Sequence, residues 1–216
     1  MKKKYALLFA TMLILSACGN KEDKSTQDSS NVEKSAEDMS KDEVKNLREA
    51  GEKMASEVGK LTSDELKSAT PLTNEQLKEL LPDKINGMER KKFSVGQLGM
   101  HIVDASYEDG DKTISLSILD GAGEAGSAMI GMMKMGISAG AETEDENGYM
   151  KPIEIDGEKG VEKQEKFNGG KKVENSITLI VSERFMLTVT GNGEDVDELR
   201  KVINKYNLVD KLKDLK

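Results

Sequence analysis

Between about Asp83 and Gly193, apolar and polar residues alternate in short runs separated by glycine-rich turns, whereas from Lys41 to Leu81 apolar residues recur every three or four positions. A period of two sends successive side chains to opposite faces of a strand, and a period near 3.6 lines them along one stripe of a helix. Helices are therefore predicted first and a sheet afterwards. Val44, Leu47, Met54, Val58 and Leu61 mark an amphipathic helix that Gly51 breaks or weakens. Two near-copies of one start signal come next, Leu61-Thr62-Ser63-Asp64-Glu65-Leu66-Lys67 and Leu72-Thr73-Asn74-Glu75-Gln76-Leu77-Lys78. Each offers a threonine as N-cap, a Glu or Gln three residues later and a leucine pair spaced for a hydrophobic staple, so each begins a helix. The second ends at Pro82, leaving Leu77, Leu80 and Leu81 free to pack on the next elements of the chain.

Met100 to Tyr107 and Lys112 to Leu119 flank Asp109-Gly110, a pair that tolerates positive φ at both turn positions and so predicts a hairpin. A loop of those two residues sets Val103 opposite Leu116, Ala105 opposite Ile114 and His101 opposite Ile118 on one face. Asp104, Ser106, Thr113, Ser115 and Ser117 then share the other. Split faces of this kind belong to an antiparallel sheet. Further strands are predicted at Ile153 and Ile155 before Asp156-Gly157, over Lys171 to Val181 after Asn168-Gly169-Gly170, and over Phe185 to Val189 before Gly191-Asn192-Gly193. The last helix covers 194–206, with acids at its start, Arg200, Lys201 and Lys205 toward its end, and Val196, Leu199, Val202, Ile203 and Tyr206 as its inner stripe. The expected fold class is α+β. It has a mostly antiparallel sheet of five to seven strands packed against helices at about 122–136 and 194–206, preceded by N-terminal helices and a disordered tether. In element order it looks like the antiparallel α/β/α sandwiches of the PsbP and Mog1 type.

The first residues obey a different rule. Lys2, Lys3 and Lys4 form a positive region, Tyr5 to Leu15 an apolar run too short to span a bilayer, and Ser16-Ala17 the small residues of a cleavage site. Leu15-Ser16-Ala17-Cys18 resembles the lipobox of bacterial lipoproteins. That resemblance implies diacylation of the Cys18 thiol, cleavage before it and acylation of the new amino terminus. Gly19 to Ser40 has Val32 and Met39 as its only sizeable apolar residues, too little apolar surface to offset the entropy of ordering. The chain is thus expected to divide into a lipoprotein signal peptide (1–17), a disordered tether (18–40), a helical segment (41–82) and the α+β domain (83–216). Lys21-Glu22-Asp23 resembles the acidic signals that send some Bacteroidota lipoproteins to the cell surface, although a polar tether also contains such triplets by composition.

Losing residues 1–17 removes three lysines and no acids, moving the formal charge from −8 to −11. An acidic body without tryptophan has neither the field nor the stacking rings that nucleic acid requires, and anionic lipid would repel it. The membrane is therefore a partner through the N-terminal lipid, an envelope protein is a further candidate partner, and nucleic acid and nucleotide are not expected. Cys18 is the sole cysteine, so no intramolecular disulfide forms.

Gly121-Ala122-Gly123-Glu124-Ala125-Gly126 spells G-x-G-x-x-G between a strand and a helix. The preceding strand alternates instead of being apolar throughout, and Glu124 would stand beside a pyrophosphate, so the glycines are expected to let the helix approach the sheet, with no cofactor. Met129, Met132, Met133 and Met135 on that helix are predicted to fill core, with an apolar contact surface or a Cu(I) site of soft thioethers as competing uses. His101, the only histidine, is read as packed or at a sheet end. Glu142, Glu144, Asp145 and Glu146 lack the spacing of a calcium loop. No catalytic residue is identified, and the one assigned modification site is Cys18. The expected protein is a lipid-anchored binding or structural interaction module of the cell envelope. It would sit at the outer membrane, on its periplasmic or surface face, in a Gram-negative cell, and on the outer face of the plasma membrane in a Gram-positive one. The alternative is an unrecognised envelope enzyme or a methionine-based copper-handling factor.

Overall fold

One antiparallel sheet of nine strands organises the chain. The computed structural model describes residues 58–96, 99–140 and 142–215 together with Glu49, Gly51–Lys53 and Ser56. Its elements are α1 (Asp64–Ser68), α2 (Asn74–Glu79), β1 (Lys84–Ile85), β2 (Met88–Val95), β3 (Ile102–Asp109), β4 (Lys112–Asp120), α3 (Glu124–Ser138), β5 (Thr143–Asp145), β6 (Gly148–Ile155), β7 (Glu158–Phe167), β8 (Lys172–Val181), β9 (Phe185–Asn192), α4 (Val196–Lys205) and α5 (Leu208–Lys213). The strand order is β1-β2-β3-β4-β9-β8-β7-β6-β5. Two meanders therefore meet at the β4–β9 pair, with α3 carrying the chain from the centre of the sheet to its far edge.

The α+β class holds, and the sheet is larger than the five to seven strands expected. β1 and β5 have two and three residues, too short for any periodicity to register. In β7, Glu-Lys-Gly-Val-Glu-Lys-Gln-Glu-Lys-Phe, both faces are largely polar, so alternation is invisible as hydropathy. β2 carries a bulge between Arg90 and Lys92 that interrupts its alternation.

One face of the sheet holds the main core. Val103, Tyr107, Ile114, Leu116, Ile118, Ile177, Leu179, Phe185, Leu187 and Val189 are buried beneath Leu77, Leu80 and Leu81 from α2 and its exit, Leu199, Val202 and Ile203 from α4, and Leu208, Val209 and Leu212 from α5. On the other face, among the described residues, α1 and α3 cover one end, where Leu66 and Ile130 meet Leu119 and Ile180. Helices thus lie on both faces.

The β3–β4 hairpin differs from expectation in register. Asp109 pairs with Lys112, Ala105 with Leu116 and Val103 with Ile118, so the turn residues are Gly110-Asp111. Of these only Gly110, at φ 59°, has positive φ, so the glycine takes the first turn position and the ladder shifts by two residues. A shift of two leaves every side chain on its predicted face. Asp156-Gly157 behaves as expected, with both residues at positive φ between the paired Ile155 and Glu158.

The second start signal forms a full capping box: Gln76 N–H donates to Thr73 Oγ1 at 3.3 Å, and Thr73 N–H donates to Gln76 Oε1 at 2.9 Å. In the first, Ser63 is the cap, accepting from Leu66 N–H at 3.1 Å. Thr62 is occupied in closing the preceding helical turn, where its hydroxyl reaches the carbonyls of Val58 and Gly59. Gly51 itself is helical. The C-terminal helix stops at Lys205 because Asn207 turns left-handed at φ 50°, and α5 then starts as a separate helix that periodicity alone did not predict.

Candidate functional site

The part of the second sheet face that no described helix covers is built from repeated small-polar alternation: Asp-Ala-Ser in β3, Ser-Leu-Ser in β4, Thr-Val-Thr in β9 and Ser-Ile-Thr in β8. Because each middle residue points into the core, its two neighbours point away from it. The registers then align these side chains into two rows. One runs Ser94, Asp104, Ser117, Thr188, Thr178; the other runs Lys92, Ser106, Ser115, Thr190, Ser176, Lys163. Neighbours in a row are one strand spacing apart, about 4.8 Å. None of these residues is buried, and a shallow trough of about 580 Å³ lies over Lys92, Asp104, Ser106, Ser115 and Ser117. The Thr178 and Thr188 hydroxyls are 3.1 Å apart, and Ser94 donates to Asp104 at 3.4 Å. The result is a rigid hydroxyl grid with a lysine at each end of one row. Its signal was present in the alternation, but only long-range strand pairing turns four separate motifs into one surface.

Among the described residues three carboxylates are buried and each meets a cation, Glu194 through Lys112 at 3.0 Å. Asp120, fully inaccessible, accepts from Arg184 Nε and Nη2 at 2.8 and 2.7 Å, and also from the N–H groups of Leu72 and Ala122. This pairing holds the Arg184 guanidinium above its ordinary pKa. Glu162, 2% exposed, accepts from Tyr149 at 2.7 Å, from Lys151 at 3.1 Å and from Arg200. Burial pushes Glu162 up, but the hydrogen bonds from Tyr149, Arg200 and Lys151 and the Lys151 charge outweigh it and hold the carboxyl below the usual range. Burial, reinforced by that carboxylate, pushes Tyr149 up to about 12. Asp120 thus has all four of its acceptor sites taken, and Glu162 is held as a carboxylate by two cations and a phenol.

The glycine motif before α3 has a packing reason. A Cβ on Gly121 would stand 2.4 Å from Ile130 Cγ1 and 2.5 Å from the Arg184 carbonyl oxygen, and one on Gly126 would stand 2.8 Å from the Asp120 carbonyl oxygen. Gly126 brings α3 onto the end of β4, as the sequence implied. Farther along, Gly131 faces a different partner, because a Cβ there would meet Val58 and Thr62 of the preceding helical stretch.

The methionines divide. Met133 packs against the smaller core cluster, whereas Met129 and Met132 are 37% and 51% exposed. Core filling therefore describes Met133 and is overturned for Met129 and Met132, because the face of α3 that meets the sheet is already filled by Gly126, Ile130 and Met133. His101 sits just before β3, half-buried, and its carbonyl accepts from Asp120 N–H at 2.8 Å, a sheet-end position. The four acids of 142–146 are exposed around β5. Among the described residues no group of three or more His, Cys, Asp or Glu side chains is arranged to hold a metal ion, and no helix is long and apolar enough to cross a membrane. Cys18 and Lys21-Glu22-Asp23 lie outside the described residues. No protein-family model, curated protein or solved structure matches this chain.

Proposed function

We propose that this chain is a lipid-anchored protein of the cell envelope that acts as a binding or structural interaction module, with the hydroxyl grid as its contact face. The observation that carries this reading is the pair of rows from Ser94 to Thr178 and from Lys92 to Lys163, which no described helix covers, a preformed polar surface on paired strands. Hydroxyls and an aspartate present donors and acceptors without the cost of burying unpaired charge, which suits recognition of a polar partner. The engagement of Asp120 with Arg184, and of Glu162 with Tyr149, Lys151 and Arg200, supports binding over acid–base chemistry.

Anchoring and contact are tested separately. Cys18→Ser should abolish palmitate labelling and leave the protein uncut or released from membranes; equal labelling of the variant would remove the anchor from this reading. A photo-crosslinking amino acid at exposed Ser115, introduced in intact cells, should trap a discrete adduct, whereas the same probe at exposed Asn204 on α4, across the sheet, should not. Indistinguishable adducts from both positions would count against the grid as the contact face.

A further inference from the structure

The nine-stranded sheet is open, and its two ends carry opposite charge. At one end β1 pairs only with Met88 and Glu89, so among the described residues Lys91–Phe93 of β2 have no strand on their outer side. Arg90, Lys91 and Lys92 are consecutive there, with Lys91 and Lys92 exposed. Two acids beside this edge are engaged locally, Glu89 by Lys84 at 3.1 Å and Asp83 by Arg90 at 3.1 Å. At the other end β5 is the outermost strand, and Glu142, Glu144, Asp145 and Glu146 all lie exposed along it. An open edge offers a row of backbone donors and acceptors to any strand that can approach it.

The charges decide which approach is allowed. Two β2 edges repel each other, as do two β5 edges, since like charges opposite one another destabilise a ladder. A β2 edge against a β5 edge attracts. Direction agrees as well: every neighbouring pair in the sheet is antiparallel and seven steps separate β2 from β5, so the two strands run in opposite directions and end-to-end copies bring them together antiparallel.

We propose that the basic β2 edge is a docking site for the acidic β5 edge of a second copy of this chain, joining copies head to tail. Such a contact is heterologous, so copies extend in a row unless the rotation between them closes a ring.

The test uses the full chain and sedimentation velocity. Wild type should self-associate at low ionic strength and dissociate by about 0.5 M salt, where the screening length falls to about 4 Å. K91E/K92E makes both edges acidic and E142K/E144K/D145K/E146K makes both basic, so each alone should sediment as a single copy. Mixing the two variants should restore association, because each then offers the edge the other needs. Carbodiimide should link Lys91 or Lys92 to Glu144 or Asp145 between molecules, since within one molecule these edges are roughly 34 Å apart along the sheet. A wild type that remains single at low salt, variants that associate as it does, or a mixture that fails to associate would each overturn the proposal. Association through the apolar N-terminal segment would survive both charge reversals and so counts against it. Should either variant melt early, the salt dependence and the cross-link sites of the wild type decide alone.

Discussion

Arg184, in the turn between β8 and β9, grips Asp120, at the end of β4, through two parallel hydrogen bonds of 2.8 and 2.7 Å. Residues 64 apart in sequence thereby fix the point where the two meanders meet. Asp120 also holds Leu72 N–H at 2.8 Å, and Arg184 reaches the Thr70 carbonyl at 3.2 Å, so the segment entering α2 is tied to the same spot. Removing the carboxylate strands a guanidinium and two backbone donors. Asp120→Ala should cost about 3–5 kcal/mol of unfolding free energy by urea denaturation. Arg184→Lys should recover only part of the loss, since an ammonium cannot make the paired contact. A loss below about 1 kcal/mol for Asp120→Ala, within the range of an ordinary surface change, would show that the pair does not hold the two halves together.

Glu162 gives a pH prediction of definite sign. Its folded carboxyl lies below its ordinary value, so its contribution is complete above the unfolded value of about 4.3 and is lost as pH falls through the folded value. Glu162→Gln should lower stability by about 3 kcal/mol at neutral pH, leaving Arg200 and Lys151 without their counter-charge. The gap between wild type and variant should be flat from about pH 8 to about pH 5 and narrow below about pH 4. Chemical denaturation at a series of pH values checks it; a gap that widens in acid would reverse the assigned sign.

Legibility tracked the chemistry of each segment. The β3–β4 faces were readable because Val103, Ala105, Leu116 and Ile118 alternate with serines and an aspartate, and even a two-residue error in register preserved them. β7 was not, since Gly160, Glu162 and Gln164 face the same side as the core while a charged or polar residue comes after each of Glu162 and Gln164. Buried Glu162 in particular looks from sequence like any solvated acid; only Tyr149, Lys151 and Arg200, drawn from β6 and α4, make its burial tolerable. Asp120 left a faint trace as an acid closing an apolar run, with nothing local to name Arg184 as its partner. The hydroxyl grid was half legible: the β3–β4 share of it stood in one hairpin, whereas the contribution of β8 and β9 depends on a crossover through α3 that no local pattern encodes.

The glycines of α3 should separate cleanly by substitution. A Cβ at Gly126 would lie 2.7 Å from the Gly121 carbonyl carbon and 2.8 Å from the Asp120 carbonyl oxygen, both backbone atoms that cannot swing aside. Gly126→Ala should therefore destabilise by about 1–3 kcal/mol. Gly136, also in α3, has nothing within 4 Å, so Gly136→Ala should stabilise by about 0.5–1 kcal/mol through helix propensity and lost unfolded-state freedom. Thermal melts of the two variants moving in the same direction would contradict the close approach of α3 to β4.

Met129 and Met132 are three residues apart on the exposed side of α3, while Met133 is half-buried against the smaller core cluster. Truncating Met133 removes packed atoms and should cost about 2 kcal/mol, whereas Met129→Ala and Met132→Ala should each stay within about 0.5 kcal/mol of wild type. The outward pair also bears on copper. Two thioethers one turn apart form an incomplete soft site, and Met133 is engaged with the cluster around Ile130. Added Cu(I) should therefore shift the melting temperature of wild type and of the Met129→Ala/Met132→Ala double variant equally. A ligand that binds the native state at these sulfurs would instead stabilise wild type alone, by linkage. Such a selective shift would assign α3 to metal handling, and equal shifts with a weakened association of the double variant would assign it to an apolar contact.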